Sequence, residues 1–409
     1  MQLQTLIADF DYPLPQNRIA DFPLAQRDES KLLIFKDKQI KEDIFKNIDN
    51  YLNINNLLLL NDTSVVPARL LFTKSTGATI EILCLSPQEN NVSYLQSLQQ
   101  KGSCVWKCYI GNNKRMNEIL KMPLLIDAQK IMLTAERLEN IGDSFLVRFQ
   151  WQPTDITFAQ ILDYAGNTPL PPYIKRKANE EDKIRYQTVF AKQKGSVAAP
   201  TAGLHFTQNL LKKIAKKGIF IDYLTLHVGA GTFKPVTTTY AEEHQMHAEK
   251  VIFSKISIEH IYNQLQKSVI AVGTTTTRSL ESLYWCGVKL KKEPQLFDIQ
   301  THPNLSLSQW EVYQNLYTEN ISVKESFENI LKYMNINQLQ YFPFATSLMI
   351  LPFYTPKVVK GLITNFHQPQ STLLLLIASF VGQKWKEIYN YALAHDFRFL
   401  SYGDVCLFM

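Results

Sequence analysis

Disulfide and zinc frameworks are missing from this sequence. Its five cysteines (Cys84, Cys104, Cys108, Cys286 and Cys406) are scattered, odd in number and without a CxxC pair. That spacing excludes a stapled secreted mini-fold and a zinc knuckle, and it fits a reducing compartment. The start, MQLQTLIADFDYPLP, has no basic segment followed by an apolar one, so no secretory signal is expected. The longest apolar run, residues 373–381, falls well short of the ~20 residues that a bilayer-spanning helix needs. A cytoplasmic protein with no membrane segment is therefore expected. Internal repeats and low-complexity tracts are also missing. The charge bias is mild: 43 Lys and Arg against 37 Asp and Glu give +6, which permits a polyanionic partner without requiring one.

What is present is an ordinary globular balance, 45% hydrophobic and 20% charged over 409 residues. It is enough for a sizeable core and, at roughly 150 residues per domain, for two or three domains. Residues 69–151 stand apart as short alternating or apolar runs broken by turns: ARLLFTK-STG-ATIEILCL, CVWKCYI-GNN and KIMLTAERL-ENIGD-SFLVRFQW. Hairpins are the economical reading, giving an inserted, barrel-like all-β domain over 69–151. Residues 1–68 and 152–409 then form a larger, discontinuous α/β domain. Within it, TQNLLKKIAKKG predicts a helix capped by Thr207 and ended by Gly218, and STLLLLIASFVG predicts a buried helix capped by Ser371 or Thr372 and stopped near Gly382. The stretch 289–344 carries no polar loop motif and reads as an added helical elaboration.

Four polar loops follow strand-like runs. GSVAAPTAGLHFT (195–207) combines small residues with Pro200, Thr201 and His205, a composition that lets backbone N–H groups approach a ligand. LTLHVGAGTFKPV ends a strand at His227 and continues through Gly229, Gly231 and Phe233; without a third glycine or a following helix it is not a dinucleotide fingerprint. VGTTTTRSLES places hydroxyls, including Thr275, and Arg278 at a helix start, which suits a carboxylate or phosphate. LITNFHQPQST brings Asn365, Phe366 and His367 to the end of another strand. Ligands of open α/β sheets bind beyond the carboxyl ends of strands, so the four loops are expected to converge on one pocket. A Thr-rich turn also serves as a helix cap and a lone arginine as an ion pair, so the set carries this reading rather than any member. His244 and His247 are three apart, not the four of a zincin pair, and no metal site is expected.

The segments YQTVFAKQKGSVAAPTAGLHFT, LHVGAGTFKPV, HQMHAE, VGTTTTRSLES, LITNFHQPQSTLLLL and FRFLSYGD, with FDYPLP, LLNDTSVVPARL and TPLPPYIKR nearer the N-terminus, closely resemble one family over 10–404. It is the S-adenosylmethionine:tRNA ribosyltransferase-isomerase family of the queuosine pathway. Two departures are local: Pro352-Phe353-Tyr354 stands where the family has Pro-Gly-Tyr, and 289–344 is longer than the usual connection. The resemblance implies a two-domain fold, a larger α/β domain with a barrel-like sheet flanked by helices plus a smaller inserted β domain.

It also implies transfer of the ribosyl part of S-adenosylmethionine onto 7-aminomethyl-7-deazaguanine at the tRNA wobble position. The product is epoxyqueuosine, released with adenine and methionine. S-adenosylmethionine is then a consumed cosubstrate, with no cofactor, and the enzyme a monomer. On this reading His205, His227, His247 and His367 are the candidates for base and acid. Glu249 and the rings of Phe206, Phe233 or Phe366 are candidate partners of the sulfonium, and Arg278 with Thr275 of the methionine carboxylate. Asn365, Gly229, Gly231, Thr201 and Arg69 are candidate substrate contacts. Lys175, Arg176, Lys177, Lys212, Lys213 and the lysines of 289–292 are candidate tRNA contacts.

Overall fold

A computed structural model describes residues 4–88, 94–229, 236–303, 305–316, 319 and 321–409, the side chains of Leu95 and Asn315 excepted. In chain order its strands are β1 Lys31–Lys36, β2 Gln39–Ile44, β3 Asn56–Asn61, β4 Thr63–Val65, β5 Arg69–Thr73, β6 Thr79–Pro87, β7 Ser103–Ile110, β8 Leu120–Ile126, β9 Gln129–Ile141 and β10 Ser144–Gln152. They continue as β11 Gln193–Ser196, β12 Phe220–Leu226, β13 Glu249–Ser254, β14 Ser268–Val272, β15 Ser306–Leu307, β16 Tyr341–Thr346, β17 Val359–Asn365 and β18 Val405–Phe408.

Ten of these make one mixed sheet in the order β15-β16-β13-β12-β3-β14-β17-β18-β1-β2. At its centre β12, β3, β14 and β17 are mutually parallel neighbours, while β18 runs antiparallel to β17 and parallel to β1. Alternation of side chains along each central strand divides its residues between two cores. Leu57, Leu59, Val269, Ala271, Leu33 and Phe35 enter a core with helices Thr274–Lys292, Val323–Ile336, Thr372–Val381 and Trp385–Ala394. Leu58, Leu60, Ile270, Val272, Leu32 and Ile34 enter the other, with helix Gln208–Lys216. β3 reads as an unbroken apolar run because both of its faces are covered.

The helix signals hold. The Thr207 hydroxyl accepts from Leu210 N and Gly218 follows the helix at φ +77°, while Ser371 caps the buried helix through Leu374 N and Gly382 ends it. The stretch 289–344 is more than helical: it also supplies β15 and β16, which extend the sheet. Its helix Val323–Ile336 packs so closely on helix Thr274–Lys292 that a Cβ on Gly287 would stand 2.2 Å from Ser326. The lysines read as tRNA contacts in 289–292 hold this packing instead, Lys289 on Glu311, Lys291 on Glu325 and Lys292 on Glu319.

The second sheet is antiparallel and six-stranded, in the order β5-β6-β7-β10-β9-β8, with its edge strands β5 and β8 against each other in a nearly closed, barrel-like form. Positive-φ glycines, Gly77 and Gly142, turn the hairpins β5–β6 and β9–β10, as the sequence predicts. Trp106, Phe149 and Trp151 fill its interior, and helix Phe158–Ala165 closes it with Phe158, Ile161 and Leu162. A two-stranded parallel pair, β4 with β11, joins the regions. Among the described residues no helix is long and apolar enough to cross a membrane.

Candidate functional site

The carboxyl ends of β12, β3, β14 and β17 lie side by side, and their loops are the polar segments singled out in the sequence. A cavity of about 310 Å³ opens there, lined by His227, Val228 and Gly229 after β12, by His244 to Lys250 leading into β13, and by Arg278. Its opposite wall comes from the six-stranded sheet: Leu85, Ser86 and Pro87 of β6, with Tyr94. A smaller hollow of about 80 Å³ adjoins it and is lined by Thr201, Gly273, Thr275, Asn365, Phe366 and His367. Val228, Thr372 and Leu373 line both, so the two are compartments of one depression.

His227 is held from three sides. Its Nδ1 lies 3.0 Å from Thr63 Oγ1, which also reaches Gln193 O at 3.4 Å. Donation from Nδ1–H to the hydroxyl, and from the hydroxyl to the carbonyl, leaves the Nε2 lone pair free. Tyr94 stacks on the ring with centroids 5.7 Å apart and 26° between planes. Gly195 lies beneath it, where a Cβ would stand 2.6 Å from the imidazole, so only glycine fits. Burial pushes the His227 pKa down to about 4, and the ring is neutral at neutral pH.

Arg278 and Glu249 meet as an ion pair, both largely buried. Glu249 opens β13 and Arg278 sits in the first turns of helix Thr274–Lys292, so the pair bridges the sheet and the helix. Desolvation lowers the Arg278 pKa to about 10, which leaves it charged. Its Nε is buried without a hydrogen-bond partner among the described residues. A buried donor of this kind is costly unless something accepts from it, so it marks a place for a ligand acceptor.

His367 and His205 are also buried and neutral, each lowered to about 3 by desolvation first, with Arg398 and Arg27 contributing at His205. His367 Nε2 lies 2.8 Å from Thr364 Oγ1 and its backbone is gripped by Tyr12 and Tyr389. His205 is behind the depression rather than in it: Nδ1 meets Ser30 Oγ at 2.9 Å and Nε2 meets Asn365 Nδ2 at 3.0 Å. The same Nδ2 reaches Asp404 O at 3.4 Å, and a carbonyl only accepts, which fixes the amide's orientation. Asn365 Oδ1 is then left buried without a partner among the described residues.

His247, Gly229, Glu249, Arg278, Thr201, Thr275, Asn365, Phe366 and His367 thus line the joined compartments with His227. Gly231 and Phe233 lie outside the described residues. Phe206 does not face the site; it is buried against Phe45 and Phe190. Arg69 does not line it either, being spent on Glu81 and on Leu170 O. Arg176 is a structural group: its guanidinium forks onto Asp182 at 2.6 and 2.7 Å and stacks on Phe22. Lys213 is tethered to the buried carboxylate of Asp49, whereas Lys175, Lys177 and Lys212 are exposed. Tyr94, Thr63 and the wall 85–87 were not singled out from the sequence, because nothing local marks a residue of one sheet as the wall of a site on another. Among the described residues no three His, Cys, Asp or Glu side chains gather to hold a metal ion.

The chain matches the family model described as queuosine biosynthesis protein over residues 7–408. It is 37% identical over 409 residues to a protein of Halothermothrix orenii, covering 98% of this chain and 99% of that one. It is 36% identical over 415 residues to one of Sulfurihydrogenibium sp., with the same coverage. Both relatives bear the name S-adenosylmethionine:tRNA ribosyltransferase-isomerase. A crystal structure of S-adenosylmethionine tRNA ribosyltransferase from Thermotoga maritima aligns at 26% identity and TM-score 0.45, over 98% of this chain and 100% of that one. Matched from end to end by the family model and by relatives above a third identity, the chain belongs to the queuosine biosynthesis protein family.

Proposed function

We propose that this chain is an S-adenosylmethionine:tRNA ribosyltransferase-isomerase. It transfers and isomerises the ribosyl part of S-adenosylmethionine onto 7-aminomethyl-7-deazaguanine at the tRNA wobble position. The products are epoxyqueuosine-tRNA, adenine and methionine; S-adenosylmethionine is consumed rather than held as a cofactor. On the same reading the protein works in the cytoplasm as a monomer. The observation that carries the proposal is the meeting of His227, Glu249 and Arg278 on one cavity of about 310 Å³, beside a hollow lined by Asn365 and His367.

The sulfonium acidifies the carbon beside it, and the first step is removal of that proton. His227 is the base: its Nε2 lone pair is free, and burial keeps it unprotonated at neutral pH. Glu249 supplies the negative charge facing the sulfonium, while the unpartnered Arg278 Nε donates to the methionine carboxylate. His247, on the same cavity, is the acid for departing adenine. Asn365 Oδ1 accepts from a ribose hydroxyl or an amino group of the base. Incubation with S-adenosylmethionine and tRNA carrying 7-aminomethyl-7-deazaguanine tests the reading. Adenine released in step with epoxyqueuosine in the digested tRNA is the expected result. Tight tRNA binding without adenine release would make the protein a binder and overturn it.

A further inference from the structure

Beside the two compartments lies a third, smaller cavity, lined by Arg27, Arg185 and Arg398 together with Ser30, His205 and Tyr402. The three arginines come from distant segments: a turn before β1, the last turn of helix Glu180–Arg185, and the loop before β18. Their acidic neighbours satisfy them poorly. Arg27 has no carboxylate within ion-pair distance among the described residues; its guanidinium donates to Gln187 O. Arg185 meets Glu181 only at 3.6 Å and Arg398 meets Asp404 only at 3.7 Å, and Asp404 already accepts from Lys31 N and Arg398 N. Asp28, next to Arg27, accepts from Thr207. Arg185 Nε is buried with no hydrogen-bond partner among the described residues. The mutual repulsion of Arg27 and Arg185, and the effect of Arg27 and Arg398 on His205, agree with a locally positive hollow.

We propose that Arg27, Arg185 and Arg398 form an anion site that seats a phosphate oxygen of the tRNA backbone next to the modified nucleotide. The proposal rests on the functional reading above. Arg185 is held by Leu24 O and Ala25 O and Arg398 by Phe22 O, contacts that position the guanidiniums without neutralising them, and three such charges converging without enough carboxylate between them suit a phosphodiester. At about 20 Å³ the hollow takes the anionic edge of a ligand and not a nucleoside. Ser401 lines both this cavity and the hollow of Asn365 and His367, and His205 is hydrogen-bonded to Asn365 across the partition. A base entering one compartment and its phosphate resting in the other is the arrangement that shared wall permits. The methionine carboxylate is the rival anion, and Arg278 Nε in the large cavity already answers it.

The test compares wild type with Arg27→Gln and Arg398→Gln, using substrate tRNA in fluorescence anisotropy from about 50 to about 200 mM salt. Melting followed by circular dichroism reports that each variant is folded, and calorimetry gives its S-adenosylmethionine affinity separately. Each substitution is expected to raise the tRNA Kd about fivefold to tenfold and to flatten the salt slope by about 0.7 for each phosphate no longer neutralised. Arg27→Lys is expected to recover most of the slope but only part of the affinity, because an ammonium keeps the charge without the fork. Unchanged tRNA Kd and slope in both glutamine variants would overturn the site, leaving the functional reading intact. A raised S-adenosylmethionine Kd with unchanged tRNA Kd would also overturn it and identify the carboxylate as the occupant. Wild-type protein that binds no tRNA would overturn both the site and the reading beneath it.

Discussion

The two sheets contribute to the depression in different ways. In the ten-stranded sheet, β12, β3, β14 and β17 are parallel neighbours, so each must cross over before the next begins and all four release their loops at the same edge. His227, the Gly273 to Arg278 turn and the Asn365 to His367 turn become neighbours for that reason, although more than a hundred residues separate the first from the last. The six-stranded sheet reverses direction at tight hairpins, and its contribution is a wall of Leu85, Ser86, Pro87 and the Tyr94 ring. Parallel topology gathers the polar chemistry, and the antiparallel unit closes it off and stacks on it.

The sharpest way to break that comparison is at His227. His227→Ala is expected to lower kcat by about a thousandfold, about 4 kcal/mol of barrier, and His205→Ala by far less; equal losses in single-turnover assays would remove the distinction between cavity and support. Next in size is Arg278→Ala, which breaks the largely buried ion pair with Glu249. A loss of about 3 kcal/mol in chemical denaturation is expected, with a raised KM for S-adenosylmethionine, and unaltered values for both would show the pair to be dispensable.

Gly195→Ala pushes on the imidazole from a backbone conformation that disfavours a side chain, and a tenfold to hundredfold loss in turnover is expected together with a lowered melting temperature. Acidity probes the buried histidines together. His205 and His367 titrate near 6.5 unfolded and near 3 folded, so the unfolded chain binds more protons between those values and stability falls as pH drops. From pH 6.5 to 5 each contributes a loss of about 2 kcal/mol, measurable as a falling denaturation midpoint that His205→Asn lessens. The smallest effect belongs to the antiparallel wall. Tyr94→Phe is expected to be silent, since its hydroxyl has no partner among the described residues, whereas Tyr94→Ala costs about 1 kcal/mol in kcat/KM through lost stacking.

What was legible in the sequence was local. Caps at Thr207 and Ser371, the stop at Gly218 and the turn glycines of the hairpins act within a few residues, and each appears where its chemistry requires. The strand-end loops were legible because small, hydroxyl-bearing and aromatic-ring residues concentrate there. Partners were not. Lys289, Lys291 and Lys292 look like a basic patch until Glu311, Glu325 and Glu319 fold against them, and Arg176 looks free until Asp182 and Phe22 enclose it. Arg27, Arg185 and Arg398 share no motif at all, since only tertiary folding brings them together. Glu281 shows the same limit: nothing in the sequence around it marks a partner, and it is fully buried within helix Thr274–Lys292. Its carboxylate accepts from Tyr354 and from the backbone of Lys357, Val358 and Val359, which anchors the start of β17.

The place of β18 between β17 and β1 has a consequence for the nascent chain. During synthesis β1 and β17 each present an unpaired flank on that side until the ribosome has delivered residues 405–408. The β1 edge waits while residues 37–404 are made and the β17 edge only while 366–404 are, and both are open to pairing with other chains in that time. Aggregation during expression should therefore rise with anything that delays or alters this strand, and a chaperone that shields strand edges should matter more to this protein's yield than to its stability once folded.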